Sequence, residues 1–207
     1  MARGIRHLTD ARYFSAWQVD WLGFDLTSDG LDLLSLEEVK QIREWIEGPE
    51  IIGELDFIDL DKSIQTMDYL DLENILSAMH TPREYLTNLG KRTLFQEIVV
   101  KKNQSADEIE KQMEFYHKEV DYFLLDFQKN DIGWREVKEN NRLDFNHIKQ
   151  LCKNNRVFID LNFSTGNIQS VLDELKPYGI TLKGGLEEKT GYKSFEELDE
   201  LLALIED

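Results

Sequence analysis

The sequence predicts a single-domain α/β protein in which residues 1–207 fold as one eight-stranded (β/α) barrel, a TIM barrel. Short β-rich runs alternate with amphipathic stretches along the chain, and this alternation is typical of parallel sheets. It gives eight strand–helix units, so that 207 residues divide into about 26 residues per unit. An open, doubly wound sheet would show the same alternation and remains the alternative.

Eight segments are predicted to be strands. A short first strand lies in MARGI at the N-terminus. The other seven are rich in β-branched or aromatic residues, and several lack clean alternation, as expected for parallel strands covered on both faces. They are the segments 19–26, 50–55, 74–78, 93–100, 121–127, 156–162 and 180–183.

Helix starts are marked by S/T-x-x-E capping boxes, in which the hydroxyl accepts a hydrogen bond from a free backbone N–H of the first turn. Pro82 is predicted at a first helical position, where its missing N–H costs nothing. Gly48, Gly90 and Gly179 are predicted to end helices. The four boxes pair Ser35 with Glu38, Thr81 with Glu84, Ser105 with Glu108 and Ser194 with Glu197.

A polar segment from Gln128 to Leu143 follows the sixth predicted strand and is the longest stretch predicted to be irregular. In a (β/α) barrel the loops that follow strands build the catalytic face. The segment is therefore expected to lie over that face.

The chain carries 24 basic and 41 acidic residues, which give a formal net charge of −17. Such a charge repels the phosphate backbone, so nucleic acid is not an expected partner. No apolar run approaches the length of a membrane span, and no secretory signal is visible at the N-terminus. The single cysteine, Cys152, is predicted to be buried in a helix. The sequence therefore predicts a soluble, cytoplasmic protein without a membrane partner.

Neither a dinucleotide-binding nor a P-loop glycine motif is present, and no cofactor is predicted. No metal is predicted either, because the histidines do not recur at ligand spacing and are expected to be structural or solvated. They are His7, His80, His117 and His147. The expected partner is a small molecule, and the oligomeric state stays open.

The N-terminal third, GIRHLTDARYFSAWQVDWLGFDL followed by SLEEVKQI and IIGEL, resembles the opening of a phosphoribosylanthranilate isomerase. Towards the C-terminus, YGITLKGGLEEKTGYKSFEEL resembles a glycine-containing segment of that family, and DYFLLDF resembles its sixth strand. The resemblance runs over the whole length and is weak between residues 55 and 120. The matching positions are Gly4-Ile5, Asp10-Ala11, Leu22-Gly23-Phe24, Ser35-x-Glu37, Ile52-Gly53, Gly179, Gly185, Glu187, Gly191 and Lys193.

The resemblance implies an Amadori rearrangement, an aldose–ketose isomerisation of an N-phosphoribosyl aromatic amine in tryptophan biosynthesis. The family's general acid, an aspartic acid that ends the sixth strand, falls on Asp126. The cysteine base of the first strand falls on Arg3, whose guanidinium stays protonated and cannot accept a proton. The arginine that meets the substrate carboxylate falls near Asp32, which inverts the charge.

The resemblance also implies where a substrate binds. The glycine pair after the seventh strand falls on Leu161-Asn162, whereas the pair after the eighth strand survives as Gly184-Gly185 and is expected to bind phosphate weakly. The substrate-binding residues predicted from these positions and from the neighbouring strand ends are Gly184, Gly185, Asn162, Lys183, Asp25 and Asp160.

Carboxylates are predicted to end several strands and to make the mouth of the barrel acidic. Arg3 is expected to pair with one or more of them, above all with Asp126. Two hypotheses follow: an isomerase with Asp126 as acid and Asp25 or Asp160 as base, or a non-catalytic or repurposed barrel that binds a small metabolite or a partner protein. The predicted strand-end carboxylates are Asp25, Glu54, Asp56, Glu97, Asp126 and Asp160.

Overall fold

Eight parallel strands, β1 to β8, close into a barrel in which each strand is hydrogen-bonded to the next and β8 pairs with β1. The structure is a computed structural model that describes residues 1–27, 34–56, 59–184, 187–189, 192–193 and 195–205, with the backbone alone at 187–189 and 192–193. The closed sheet confirms the predicted barrel and excludes the open sheet. The strands are β1 Ala2–Arg3, β2 Trp21–Asp25, β3 Glu50–Leu55, β4 Asn74–Ser77, β5 Thr93–Val99, β6 Tyr122–Asp126, β7 Val157–Asp160 and β8 Gly179–Lys183.

Helices connect the strands and cover the outside of the barrel. A short antiparallel pair, β9 Glu187–Lys189 and β10 Tyr192–Lys193, follows β8. No helix in the described part of the chain is long and apolar enough to cross a membrane. The helices are α1 Leu8–Ala16, α2 Leu36–Glu44, α3 Leu60–Tyr69, α4 Arg83–Thr87, α5 Ala106–Tyr116, α6 Trp134–Glu139, α7 Phe145–Asn154, α8 Ile168–Leu175 and α9 Glu196–Ala203.

Two of the four predicted capping boxes form, at the starts of α2 and α5, where Ser35 and Ser105 each bond with the glutamate three residues on. The box predicted at Thr81 is wrong: its hydroxyl donates to the carbonyl of Ala78, and α4 begins later with Pro82 as its N-cap. The competing backbone acceptor in the preceding turn explains the difference. Ser194, in the fourth box, lies outside the described residues.

Gly48 and Gly90 have positive φ, 106° and 73°, but they lie four and three residues beyond the last residues of α2 and α4, so the prediction that they end these helices is wrong. The same prediction for Gly179 is wrong, since Gly179 is the first residue of β8. A Cβ there would lie 2.4 Å from the ring of Phe158, so this glycine permits close strand packing instead. Helix α8 ends at Leu175, and its C-cap residue Lys176 has φ of 50°.

The segment Gln128 to Leu143 is less irregular than predicted. It contains a 3-10 turn, Gln128–Asn130, and the helix α6. Helix α6 starts at a glycine N-cap, where Glu136 accepts a hydrogen bond from the backbone N–H of Gly133. Because the start lacks a serine or threonine, the capping pattern did not reveal this helix.

The interior of the barrel is apolar in its lower part. Trp21 and Tyr122 pack against this inner cluster at the N-terminal end of the strands. A larger apolar layer lies between the strands and the helices and includes Cys152. Burial raises the pKa of the Cys152 thiol to about 12, in agreement with its predicted place in the core. The inner cluster consists of Met1, Ile52, Leu76, Phe95, Leu124 and Phe158.

His147 connects two outer helices. Its ring nitrogens lie 3.3 Å from Asp107 and 3.0 Å from Glu110, both on α5. The histidine therefore links α7 to α5.

Candidate functional site

Alternate residues of a strand face the same side, so the residues two positions after the members of the inner apolar cluster also point into the barrel and lie above that cluster. Four residues of the inner cluster, Met1, Ile52, Phe95 and Phe158, are each followed two positions later by a charged residue. These charged residues are Arg3 on β1, Glu54 on β3, Glu97 on β5 and Asp160 on β7. Side chains of alternate strands form layers of four in such barrels. The uppermost odd-strand layer is therefore one guanidinium and three carboxylates, called the Arg3 layer below.

Arg3 is 6% exposed and its guanidinium contacts all three carboxylates of the layer. Its Nε and Nη2 donate to Glu54 Oε2 at 3.1 and 2.7 Å, and Nη2 also donates to Glu97 Oε1 at 3.1 Å. Its Nη1 donates to Asp160 Oδ2 at 3.0 Å. Asp126 Oδ2 lies farther away, 3.8 Å from Nη1. Arg3 thus pairs with strand-end carboxylates, but the closest is Glu54 and not Asp126, which belongs to an even strand.

Burial disfavours the charged form of Arg3, but Glu54, Glu97 and Asp160 outweigh that effect and raise the pKa of Arg3 above its usual value. A guanidinium held in this way cannot accept a proton. The position where the resemblance places the base is therefore filled by a permanent cation.

Asp126 and Asp160 are partners in the register of β6 and β7, and both are buried. Burial raises the pKa of Asp160, Arg3 lowers it, and the charge of Asp126 raises it again, so that the net shift is upward. Asp126 Oδ1 accepts the backbone N–H of Lys129 at 2.8 Å. Its Oδ2 has no hydrogen-bond partner among the residues that the structure describes.

The 3-10 turn Gln128–Asn130 crosses the mouth of the barrel and is called the β6 strap. Lys129 Nζ donates to both carboxylate oxygens of Glu97, at 2.7 and 2.6 Å. Gln128 donates to Asn162 Oδ1 at 2.7 Å and accepts from Lys183 Nζ at 2.6 Å. The strap therefore connects β5, β7 and β8. Sequence reasoning placed this segment over the mouth but missed Gln128 and Lys129 as members of the site.

Three of the predicted substrate-binding residues, Asn162, Lys183 and Gly184, line a cavity of about 640 Å³ beside the ends of β7 and β8. A Cβ at Gly184 would lie 3.3 Å from the carboxyl group of buried Asp10, so this glycine makes room for that side chain. Gly185 and Asp32 lie outside the described residues. The cavity is also lined by Gln128, Ser164 and Thr165.

Asp25 ends β2 and lines a smaller cavity of about 120 Å³ together with Arg3, Glu54, Glu97 and Lys129. Its Oδ1 accepts from the backbone N–H and the hydroxyl of Thr27, at 3.0 and 2.6 Å. Five of the predicted carboxylates thus meet at the mouth. The sixth, Asp56, lies just beyond the end of β3.

No protein-family model matches the chain. The N-(5′-phosphoribosyl)anthranilate isomerase of Sulfurihydrogenibium sp. (strain YO3AOP1) is 21% identical over 203 residues, which cover 98% of this chain and 96% of the relative.

Solved structures of phosphoribosylanthranilate isomerases are also similar to this chain. Phosphoribosylanthranilate isomerase from Thermus thermophilus has a TM-score of 0.76 at 20% identity and covers 99% of this chain and 96% of its own. The Thermococcus kodakaraensis enzyme has a TM-score of 0.78 at 17% identity, with 100% and 97% covered. A third, solved in complex with reduced 1-(o-carboxyphenylamino)-1-deoxyribulose 5-phosphate, has a TM-score of 0.73 at 16% identity, with 97% and 94% covered. The resemblance predicted from the sequence is confirmed, and the barrel is of the same kind.

Proposed function

We propose that this phosphoribosylanthranilate isomerase-like barrel binds a small phosphorylated metabolite at its mouth and does not catalyse the Amadori isomerisation of its relatives. The observation that carries the proposal is the Arg3 layer. Arg3, to which the resemblance assigns the position of the base, is buried and hydrogen-bonded to Glu54, Glu97 and Asp160.

The isomerisation requires an acid that opens the ribose ring and a base that takes the C2′ proton. The resemblance assigns the acid to Asp126, the last residue of β6. A guanidinium in the place of the base can neither take the proton nor leave, because removing it would leave buried carboxylates unpaired. The scaffold of the reaction is therefore kept without its proton acceptor.

The ligand is assigned to the cavity beside β7 and β8. Its volume of about 640 Å³ lies within the range of small-molecule sites. The loops after the seventh and eighth strands often bind phosphate in (β/α) barrels. Here Lys183 offers an ammonium group, and Ser164 and Thr165 offer hydroxyls. The solved relative that contains a ribulose 5-phosphate derivative supports a ligand of this chemistry.

A second candidate function is an isomerase in which Asp160 acts as the base. The observation that favours it is the raised pKa of Asp160 beside Asp126, because a carboxyl group of raised pKa accepts a proton more readily than an ordinary one. In that case Asp160→Asn should abolish turnover in the assay of N-(5′-phosphoribosyl)anthranilate, whereas the proposal above expects no turnover to abolish.

Calorimetric titration with ribose 5-phosphate tests the binding proposal. Saturable binding weaker than about 1 μM is expected, because one cation serves the phosphate in a mouth rich in carboxylates. Sub-micromolar affinity would contradict the predicted weak phosphate site. Absence of binding to any sugar phosphate would overturn the proposed function.

A further inference from the structure

Lys183 is the one cation among the described residues that line the cavity of about 640 Å³ beside β7 and β8. Two carboxylates, those of Glu197 and Glu200, line the same cavity and repel a phosphate. The binding proposed above therefore depends on whether the ammonium of Lys183 stays available to a ligand.

Two acceptors compete for the ammonium of Lys183. Its Nζ donates to Gln128 Oε1 at 2.6 Å and lies 3.7 Å from Asp160 Oδ2. An amide oxygen leaves the positive charge uncompensated, whereas a carboxylate in direct contact would neutralise it. A phosphate would then have to displace that carboxylate before it gained an ion pair of its own. The closer of the two acceptors is the neutral one.

The orientation of the Gln128 amide follows from its two partners. An ammonium group only donates hydrogen bonds, so the amide oxygen faces Lys183 and the NH2 group points the other way. That NH2 group donates to Asn162 Oδ1 at 2.7 Å. The backbone carbonyl of Asn162 accepts from the side chain of Asn167 at 2.9 Å, which fixes the loop after β7. The amide is therefore held between the ends of β7 and β8.

The backbone of Gln128 is fixed by the rest of the β6 strap. The backbone N–H of Lys129 donates to Asp126 Oδ1 at 2.8 Å. The side chain of Asn130 donates to the carbonyl of Val100 at 2.7 Å. The strap therefore holds the Gln128 side chain in a fixed place at the wall of the cavity, which Gln128 itself lines.

We propose that Gln128 is a positioning residue that holds the ammonium of Lys183 at the cavity wall and away from Asp160, so that its charge stays available to a phosphate. This inference rests on the proposed function, because it assigns a role within the same site. Without the amide oxygen, the ammonium needs to move only about 1 Å to reach contact distance with Asp160. Gln128 acts through Lys183 and need not touch the ligand.

Calorimetric titration with ribose 5-phosphate tests this role. Gln128→Ala should weaken binding by about fivefold or more, because Lys183 is then free to pair with Asp160. Gln150→Ala is the matched control, since it removes the same side chain from an exposed position of α7. The control should keep the wild-type affinity.

Asp160→Asn distinguishes positioning from a merely structural effect. The substitution removes the competing charge and keeps an oxygen that can accept from Arg3. In the Asp160→Asn protein, Gln128→Ala should therefore weaken binding by less than about twofold. A side chain that only shaped the loop would cost the same factor in both proteins.

A second pair of variants leaves the Arg3 layer intact. In the Lys183→Ala protein, Gln128→Ala should change the remaining affinity by less than about twofold, because no ammonium is left to position. This comparison decides the question if Asp160→Asn lowers the stability of the protein.

Unchanged or tighter binding by Gln128→Ala would overturn the inference and leave the proposed function standing. Equal losses with and without the Lys183 ammonium, or with and without the Asp160 carboxylate, would also overturn it, because Gln128 would then act on the site by another route. If the wild type does not bind ribose 5-phosphate, the inference fails, and absence of binding to every sugar phosphate ends the proposed function as well.

Discussion

Gly23 lies directly beneath the carboxylate of Glu54: a Cβ at position 23 would come within 2.5 Å of Glu54 Oε1. The same Cβ would lie 3.4 Å from Cα of Arg3. Because Gly23 has no side chain, the carboxylate of Glu54 has the space in which it accepts its two hydrogen bonds from Arg3.

Gly23→Ala should displace Glu54 and weaken its two hydrogen bonds with Arg3. Overpacking of this kind costs about 1 to 3 kcal/mol of unfolding free energy, measurable by urea denaturation. Gly166→Ala is the control, because a Cβ added at Gly166 would come no closer than 3.8 Å to another residue, at Ser164 Oγ. Equal effects of the two substitutions would show that Gly23 has no special relation to Glu54.

Arg3→Ala should lower the free energy of unfolding by about 3 to 5 kcal/mol, because Glu54, Glu97 and Asp160 lose a buried partner. Urea denaturation measures the loss. Arg135→Ala removes an exposed ion pair with Glu139 and should cost less than about 1 kcal/mol. A loss below about 1 kcal/mol for Arg3→Ala would contradict a structural role of the layer.

Asp160 should make the protein less stable as the pH rises. Its pKa is raised above 3.8 in the folded state, so the folded state binds the proton more tightly than the unfolded state. The resulting stabilisation is complete below 3.8 and is lost as the pH rises through the folded pKa.

The stability of the wild type relative to Asp160→Asn should therefore fall between about pH 4 and the raised folded pKa. Denaturation series at several pH values measure the difference. Asp173→Asn, at an exposed position of α8, serves as the reference for changes in net charge. A difference that stays flat or grows with pH would show that Asp160 has no raised pKa.

Lys183→Ala should weaken the binding of ribose 5-phosphate by about fivefold or more, because its ammonium lines the cavity assigned to the phosphate. Calorimetric titration measures the change. Lys153→Ala, on the exposed face of α7, removes the same charge elsewhere and should leave the affinity unchanged. Unchanged binding by Lys183→Ala would remove the phosphate from this cavity.

The barrel was predictable because its determinants are local. Each strand is a short β-rich run, and the boxes at Ser35 and Ser105 start helices three residues before a glutamate. The capping box predicted at Thr81 was wrong because the box pattern does not include the carbonyl of Ala78. The turn places this carbonyl within reach of the Thr81 hydroxyl. The prediction that Gly179 ends a helix was wrong because the close approach of the Phe158 ring, on the neighbouring strand, requires a glycine there.

The site was predictable only in part. The resemblance placed Arg3 beside the strand-end carboxylates, but which carboxylate lies closest depends on the odd and even layers of the closed barrel. Lys129 reaches Glu97 across 32 positions, and Lys183 reaches Gln128 across 55, through a 3-10 turn that no sequence pattern marked. Contacts of this kind follow from barrel closure and not from local propensity.

We propose that Arg3, at the position where the resemblance places the base, leaves the barrel without isomerase activity, and an assay of the wild-type protein with N-(5′-phosphoribosyl)anthranilate decides this. Turnover is followed by the loss of substrate fluorescence, with a relative such as the Thermus thermophilus enzyme as the positive control. No turnover above the uncatalysed rate is predicted, since the guanidinium of Arg3 cannot accept the proton. Turnover of about 1 per second or faster would show that the barrel is an active isomerase and that another group at the mouth serves as the base.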